Sequence, residues 1–141
     1  MLSKKTKYGL KALSYLANKE DNTPILIAEI ANAENIPQKF LESILLSLKK
    51  SEILDSKKGK GGGYFLQKNP DNIKVSELIR ILEGPIAMLP CVSLNHYERC
   101  DDCTSEEECS LNILMAEVRD STLKILENKT LSDFKCGSKI L

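Results

Sequence analysis

The sequence predicts a mainly α-helical fold that contains one small β-hairpin and ends in a long helix. Between residues 6 and 50, apolar side chains recur at helical spacing. The period then changes to that of two short strands on either side of a glycine- and lysine-rich stretch, and a helical pattern returns over residues 110–128. A chain of 141 residues suits one compact domain with an appendage rather than two independent cores.

Two helices are predicted before residue 34. The first covers residues 6–19, and its apolar face is formed by Tyr8, Leu10, Leu13, Leu16 and Ala17. The second follows Pro24 and ends near Asn32 or Ala33, with an apolar stripe formed by Ile27, Ile30 and Ala31. A tight polar connection over residues 33–36 then leads to the third helix.

The third predicted helix starts around Pro37, because a proline in the first turn removes only an N–H that has no helical partner. It runs to about Lys50. Its predicted buried face consists of Phe40, Leu41, Ile44, Leu45 and Leu48. The more exposed positions are Gln38, Lys39, Glu42, Ser43, Lys49 and Lys50.

The hairpin is predicted from residues 53–57 and 64–67, which flank the tip KGKGGG at residues 58–63. Glycines supply the positive φ angles that such a tight turn needs. A turn over residues 69–72 precedes a fourth helix over residues 75–83, which Gly84 and Pro85 end. Leu78, Ile79 and Leu82 are its inward side chains.

The predicted elements follow the order of a winged helix-turn-helix: a helix, a short helix, a tight turn, a third helix and a basic hairpin. A helix fits the major groove of DNA, and a basic hairpin beside it can contact phosphates or enter the minor groove. We therefore predict a DNA-binding domain over residues 1–84. The residues expected to contact DNA are Gln38, Lys39, Glu42 and Ser43 on the helix, and Lys57, Lys58, Gly59, Lys60 and Gly61 on the wing.

Charge is distributed unevenly along the chain, although 20 basic and 20 acidic residues cancel overall. Residues 1–68 carry 12 Lys/Arg and 7 Asp/Glu, a net charge of +5. Residues 95–109 carry one arginine and six carboxylates, a net charge of −5. The basic part coincides with the predicted DNA-binding domain.

Four segments of the chain resemble the Rrf-two (Rrf2) type of bacterial winged-helix transcriptional regulators. They are residues 26–31 (LIAEIA), 36–48 (IPQKFLESILLSL), 59–66 (GKGGGYFL) and 75–84 (VSELIRILEG). The family includes an iron–sulfur cluster regulator, a nitric-oxide-sensing repressor and a cysteine-metabolism repressor. The resemblance implies that Glu42 reads bases and that Lys58 stands where a wing arginine enters the minor groove. A lysine fits a narrow groove less well than a planar guanidinium.

Four cysteines lie within a predicted loop over residues 85–109, in the spacing C-x8-C-x2-C-x5-C. Soft thiolates suit zinc and iron–sulfur clusters, and a CxxC pair can converge on one ion. Cys91, Cys100, Cys103 and Cys109 are therefore the candidate metal ligands, whereas Cys136 stands apart. An iron–sulfur cluster (2Fe-2S or 4Fe-4S) is the first expectation and zinc the alternative; thiols that act by oxidation, or that have no role, stay open.

The family resemblance implies three cluster-binding cysteines near this position. Cys103 and Cys109 reproduce the family's last C-x5-C spacing. The family's first cysteine would fall at Tyr97, and the histidine ligand of the iron–sulfur regulator would fall at Asn112. The full ligand set therefore does not carry over. His96, the one histidine of the chain, is interpreted as a surface residue.

The long helix over residues 110–128 is predicted to mediate homodimerisation, and residues 129–141 form a C-terminal tail. The apolar face of this helix consists of Leu111, Leu114, Met115, Val118, Thr122, Ile125 and Leu126. The resemblance implies the same role, with two recognition helices placed one turn of DNA apart on a palindromic operator.

These observations predict a DNA-binding transcriptional regulator, expected to be a repressor, whose affinity is controlled by a cluster, metal or redox centre in the cysteine loop. The alternative is a winged-helix protein–protein module with a structural zinc or plain thiols. No enzymatic constellation is present, since GKGGG lacks the phosphate-loop spacing and the CxxC lacks a βαβ context. The sequence shows neither a secretion signal nor a membrane span, so we expect a cytoplasmic protein.

Overall fold

The computed structural model describes residues 1–19 and 21–134. Three helices come first: α1 (Lys4–Ala17), α2 (Ile27–Glu34) and α3 (Gln38–Lys50). The antiparallel strands β1 (Leu54–Lys57) and β2 (Gly63–Leu66) follow, and then α4 (Val75–Leu82) and α5 (Ser110–Glu127). Short 3-10 helices cover Pro70–Asn72, Pro90–Val92 and Leu131–Phe134. The predicted fold class, mainly helical with one small hairpin and a long last helix, is confirmed.

The ends of the first helices follow from local side-chain chemistry. Ser3 caps α1, since its Oγ accepts a hydrogen bond from the backbone N–H of Thr6. Helix α2 ends at Asn35, which adopts the left-handed conformation with φ 54°. Asparagine tolerates this conformation better than most residues. Helix α2 therefore ends one or two residues later than predicted, and the turn to α3 is correspondingly tighter.

One core unites α1 to α4, the hairpin and the chain after α5. Its completely buried side chains include Leu13, Ile30, Leu41, Ile44, Leu45, Leu48, Ile53, Leu54, Ile73, Leu78 and Leu131. Gly9 lets α1 approach α4 closely, because a Cβ at that position would lie 2.7 Å from a methyl carbon of Leu82. The inward positions predicted for α4, Leu78, Ile79 and Leu82, are all buried.

The predicted burial of Phe40 is wrong. Its side chain is 41% exposed, whereas Leu41, Ile44, Leu45 and Leu48 are completely buried. These four leucine and isoleucine side chains fill the inward stripe of α3, and Phe40 lies one residue outside it. Its ring instead contacts Tyr8 edge-on, with ring centroids 5.7 Å apart.

The hairpin is joined to the segment before α2. Strand β1 pairs with β2 from Leu54 opposite Leu66 to Lys57 opposite Gly63. Beyond that pairing, Ile25 and Tyr64 exchange two backbone hydrogen bonds of 2.8 Å each. This bridge, which the sequence analysis did not predict, fixes the hairpin to the entrance of the helix-turn-helix.

Helix α5 is connected to the core at its C-terminal end. The Val75 N–H donates to the Lys129 carbonyl, and the Leu131 N–H donates to the Ile73 carbonyl, each at 2.9 Å. The predicted tail therefore returns to α4 as far as it is described; residues 135–141, including Cys136, lie outside the described residues. Within the described part of the chain, no helix is long and apolar enough to cross a membrane.

Candidate nucleic-acid interface and cysteine loop

The N-terminal half of α3 presents a polar surface. The predicted base-reading residues Gln38, Lys39, Glu42 and Ser43 are all exposed. The Ser43 hydroxyl donates to the Phe40 carbonyl at 2.9 Å, which holds that side chain against its own helix. Pro37 stands at the N-cap and makes no capping hydrogen bond, so no side chain of the cap occupies the N–H groups of the first turn.

The wing tip is a basic turn whose shape depends on glycine. Lys57, Lys58 and Lys60 are exposed, and none of them forms an ion pair with another described residue. Gly59 and Gly61 have φ angles of 89° and 75°, and the Gly62 N–H donates to the Gly59 carbonyl at 3.0 Å. The turn therefore exposes three lysines without a bulky side chain at the tip.

Helix α3 and the wing are held together as one unit. The Lys49 Nζ in the last turn of α3 donates to the Ser56 Oγ of β1 at 2.7 Å. The Gln67 N–H also donates to the Ile53 carbonyl at 3.0 Å, which continues the pairing between the two arms of the hairpin. A movement of α3 would therefore carry the root of the wing with it.

Sequence reasoning missed one exposed candidate on α3, Phe40, because it was assigned to the core. An exposed aromatic ring beside Lys39 and Ser43 can contact the methyl group of thymine. The signal that could have identified it is the spacing of the stripe, since Leu41, Ile44, Leu45 and Leu48 already complete the inward face.

The cysteine loop joins the N-terminal end of α5 through Asn112. The Cys109 Sγ caps α5 by accepting from the Asn112 N–H at 3.4 Å, and the Asn112 Nδ2 donates to the Cys91 Sγ at 3.3 Å. Asn112 is the residue that the family resemblance aligns with a histidine ligand. In this structure it contacts two of the four candidate thiols.

Cys100 lies against Cys91. The hydrogen bond between these two thiols is the largest cause of the raised pKa of Cys100. Partial loss of hydration and the electrostatic effects of Cys91 and Asp102 raise that pKa further, since each disfavours the thiolate. The protonated form of Cys100 is therefore favoured in this arrangement.

Arg99 and Cys100 organise the CxxC turn. The Cys103 N–H donates to the Cys100 carbonyl at 3.2 Å. The Arg99 guanidinium donates to the carbonyls of Cys103 and Thr104, at 3.2 and 3.4 Å. The one arginine of the acidic loop is thus used to hold backbone oxygens rather than to pair with a carboxylate.

The donors suit a cluster or zinc by their chemistry, but the described arrangement does not gather them into one site. Cys91 contacts Cys100 and shares Asn112 with Cys109, so three of the four candidate thiols lie near the start of α5. Among the described residues, however, no group of three or more His, Cys, Asp or Glu side chains could hold one ion. Metal binding would therefore require a different arrangement of the loop.

Two further contacts connect the loop to its surroundings. The Arg119 Nη1 on α5 donates to the Val92 carbonyl at 2.8 Å. The Tyr97 hydroxyl donates to the Glu106 carboxylate, and this bond is the main cause of the raised pKa of Tyr97. The side chain of His96 is exposed, in agreement with its interpretation as a surface residue.

Comparison with known proteins places this architecture among transcriptional regulators. Residues 2–136 match the family model Rrf2, described as an iron-dependent transcriptional regulator. An rrf2-like HTH-type transcriptional regulator of Rhodobacter capsulatus is 43% identical over 136 residues, which cover 94% of this chain and 91% of the relative.

Solved structures agree with this match. CymR, the global cysteine regulator of B. subtilis, superposes with a TM-score of 0.77 at 31% identity, covering 94% of each chain. IscR of T. potens superposes with a TM-score of 0.74 at 28% identity, covering 94% of this chain and 84% of that one. These relatives are regulators rather than enzymes, which confirms the expectation that the chain is not an enzyme.

Proposed function

Because the chain belongs to the Rrf2 family of DNA-binding transcriptional regulators, we propose that it reads its operator with α3 and contacts the flanking phosphates with the wing. The observation that carries this proposal is the pairing of two exposed surfaces on one rigid unit. The polar face of α3 and the wing lysines are joined through the bond between Lys49 and Ser56.

Each surface has a distinct role in this proposal. Gln38, Lys39, Glu42 and Ser43 face the base edges, where a carboxylate accepts from cytosine and an amide pairs with adenine. Lys57, Lys58 and Lys60 neutralise phosphates, and Gly59 and Gly61 let the backbone approach them closely. The uncapped first turn of α3 adds N–H groups and a positive dipole end that favour a phosphate.

The test is the salt dependence of binding to duplex DNA, measured by fluorescence anisotropy. Each phosphate contact contributes a slope of about −0.9 to log K against log salt. We expect Lys58→Gln to reduce the slope by about one unit and to weaken binding to all sequences alike. Lys68→Gln, which removes one charge from an ion pair with Glu77 outside the interface, should leave the slope unchanged.

A second variant separates base reading from phosphate contact. Glu42→Gln should keep the salt slope but change the sequences recovered when the protein selects from a random duplex pool. Equal slopes for the wild type, Lys58→Gln and Lys68→Gln would contradict the wing assignment. An unchanged selected sequence with Glu42→Gln would contradict the assignment of Glu42.

The protein acts, in this proposal, as a homodimer on a palindromic site. The support is the outer face of α5, where Leu111, Leu114 and Ile125 are 53%, 50% and 62% exposed although they share one side of the helix. On the opposite side, Leu123 is only 7% exposed and packs on the same chain. A contiguous apolar face of this kind, left open by its own domain, is typical of a protein–protein contact.

The cysteine loop is proposed as the sensor that controls DNA affinity, through an iron–sulfur cluster held by Cys91, Cys100, Cys103 and Cys109. Support comes from the four soft donors, the family description as an iron-dependent regulator, and the direct contacts of the loop with α5. When bound, the cluster would supply a redox- and iron-responsive centre. Since the described loop does not gather three ligands, binding would select a second loop conformation.

A further inference from the structure

A small recess lies where the end of α4, the start of the cysteine loop and the inner side of α5 meet. It encloses about 50 Å³ and is partly open to solvent, so it suits only a small ligand. Its polar lining includes Arg80, Ser93, Asn95 and His96, and its apolar lining includes Ile86, Leu94 and Leu123. Neither the wing nor the outer face of α5 contributes to it.

Arg80 is the cation of this recess and has no counter-ion. Its side chain is half-buried, and within residues 1–19 and 21–134 its guanidinium makes neither an ion pair nor a hydrogen bond. The other two arginines are both engaged, Arg99 with loop carbonyls and Arg119 with Val92 and Asp120. A half-buried guanidinium without an anion retains a fork of donors that matches a carboxylate or a phosphate.

The loop supplies further donors to the same recess. The buried Ser93 Oγ accepts from the backbone N–H of His96 at 3.0 Å, which leaves the hydroxyl hydrogen free to donate. The imidazole of His96 adds a ring N–H in its neutral form. Three donor groups from α4 and the loop therefore line one cavity.

We propose that this recess binds a small organic carboxylate with a short aliphatic body. The carboxylate would pair with Arg80 and accept from Ser93 or His96, while the aliphatic part would contact Ile86, Leu94 and Leu123. The apolar lining favours an organic acid over an inorganic anion, because an inorganic anion would leave that surface uncovered.

Such a ligand connects α4 with the segment that leads into the cysteine loop. Ser93 and His96 follow Cys91 by two and five positions, so a ligand held between them and Arg80 would restrict the start of the loop. Binding of such a ligand would require neither DNA nor a metal.

The single histidine of the chain allows a direct test. The full chain without added histidines is titrated with sodium butyrate at constant pH and ionic strength, while the imidazole proton resonances are followed by NMR. We expect a saturable shift in the millimolar range, and no saturable shift with butyramide, which has the same shape without the charge.

Variants of Arg80 test whether this residue binds the carboxylate. Arg80→Lys keeps the charge but removes the planar fork, so we expect at least about tenfold weaker binding. Arg80→Gln should abolish saturation, while Lys68→Gln should bind like the wild type. Far-UV circular dichroism and the urea midpoint show whether each variant keeps the fold.

Three results would overturn the proposal. One is a shift that rises linearly without saturation, and another is equal binding by the wild type and a folded Arg80→Gln variant. The third is tighter binding of inorganic phosphate than of butyrate, which would replace the carboxylate by a phosphate ligand.

Discussion

Gly63 connects the wing with the segment before α2, two parts of the proposed DNA-binding unit (α1 to α4 and the hairpin). Its φ angle is 142°, and a Cβ at this position would lie 2.3 Å from the Ile25 carbonyl oxygen. That oxygen accepts the Tyr64 N–H in the bridge between the hairpin and the segment before α2. Gly63 is therefore required both by its backbone conformation and by the close approach of another chain segment.

Replacement of Gly63 by alanine should destabilise the protein more than the same change at Gly61. Both glycines have positive φ, but a Cβ at Gly61 would meet nothing within 4 Å. We expect Gly61→Ala to cost about 1 kcal/mol. Gly63→Ala should cost about 2 kcal/mol more, because the clash breaks two hydrogen bonds worth about 1 kcal/mol each. Urea unfolding of both variants measures the difference, and equal midpoints would contradict it.

The hydrogen bonds of Asn112 could not be predicted from the sequence. The spacing of the cysteines identified the candidate donors, and the resemblance identified Asn112 as a departure at a ligand position. Neither could show that the Asn112 amide and N–H bond the thiols of Cys91 and Cys109, because Cys91 is 21 residues away in the chain. Contacts of this kind depend on the path of an irregular loop, which has no periodic signal.

Helix positions and burial, by contrast, follow closely from periodicity. The stripe Leu41, Ile44, Leu45 and Leu48 on α3 and the inward residues of α4 are buried as predicted. Among the predicted buried positions of α3 and α4, the prediction is wrong at Phe40, whose ring contacts Tyr8 of another helix. The Ile25–Tyr64 bridge was missed for a related reason, since one isolated pair of residues makes no alternating pattern.

Helix α5 is the element on which the proposed assembly depends. Leu114→Arg and Ile125→Arg each place a charge on the exposed apolar face, and we expect both to shift the protein to monomer at micromolar concentration. Sedimentation velocity measures this shift. Glu127→Arg, on the opposite side of the helix, should leave the dimer intact. A monomeric wild type, or equal effects of all three substitutions, would contradict the assignment.

At the scale of the whole molecule, the cysteine loop lies between the proposed DNA-binding unit and α5. Its contacts reach α5 through Asn112 and Arg119, while Pro90–Val92 follows α4 in the chain. A change of loop conformation can therefore alter the position of α5 relative to the DNA-binding unit. In the proposed sensor, such a change would shift DNA affinity only by as much as the two conformations differ in their free energy of DNA binding.

Anaerobic reconstitution with ferrous iron and sulfide tests the cluster. We expect a visible absorption band that Cys103→Ala and Cys109→Ala each lose, because both remove a proposed ligand. Cys136→Ala should keep the band, since this cysteine stands apart from the other four in the sequence. Absence of any cysteine-dependent band would contradict the cluster, and stoichiometric zinc in that protein would identify the zinc alternative.

Both ends of α5 are anchored, and this limits how far the two halves of the proposed dimer can adjust to the spacing of a DNA site. Asn112 and Arg119 hold its first half to the loop, and the bonds of Lys129 and Leu131 hold the chain after it to α4. A helix held at both ends in this way keeps a fixed orientation relative to the rest of its own chain. In the proposed dimer it would set the distance between the two recognition helices. One extra base pair between the half-sites rotates one half-site by about 34° relative to the other. A helix held at both ends cannot rotate to compensate for this mismatch.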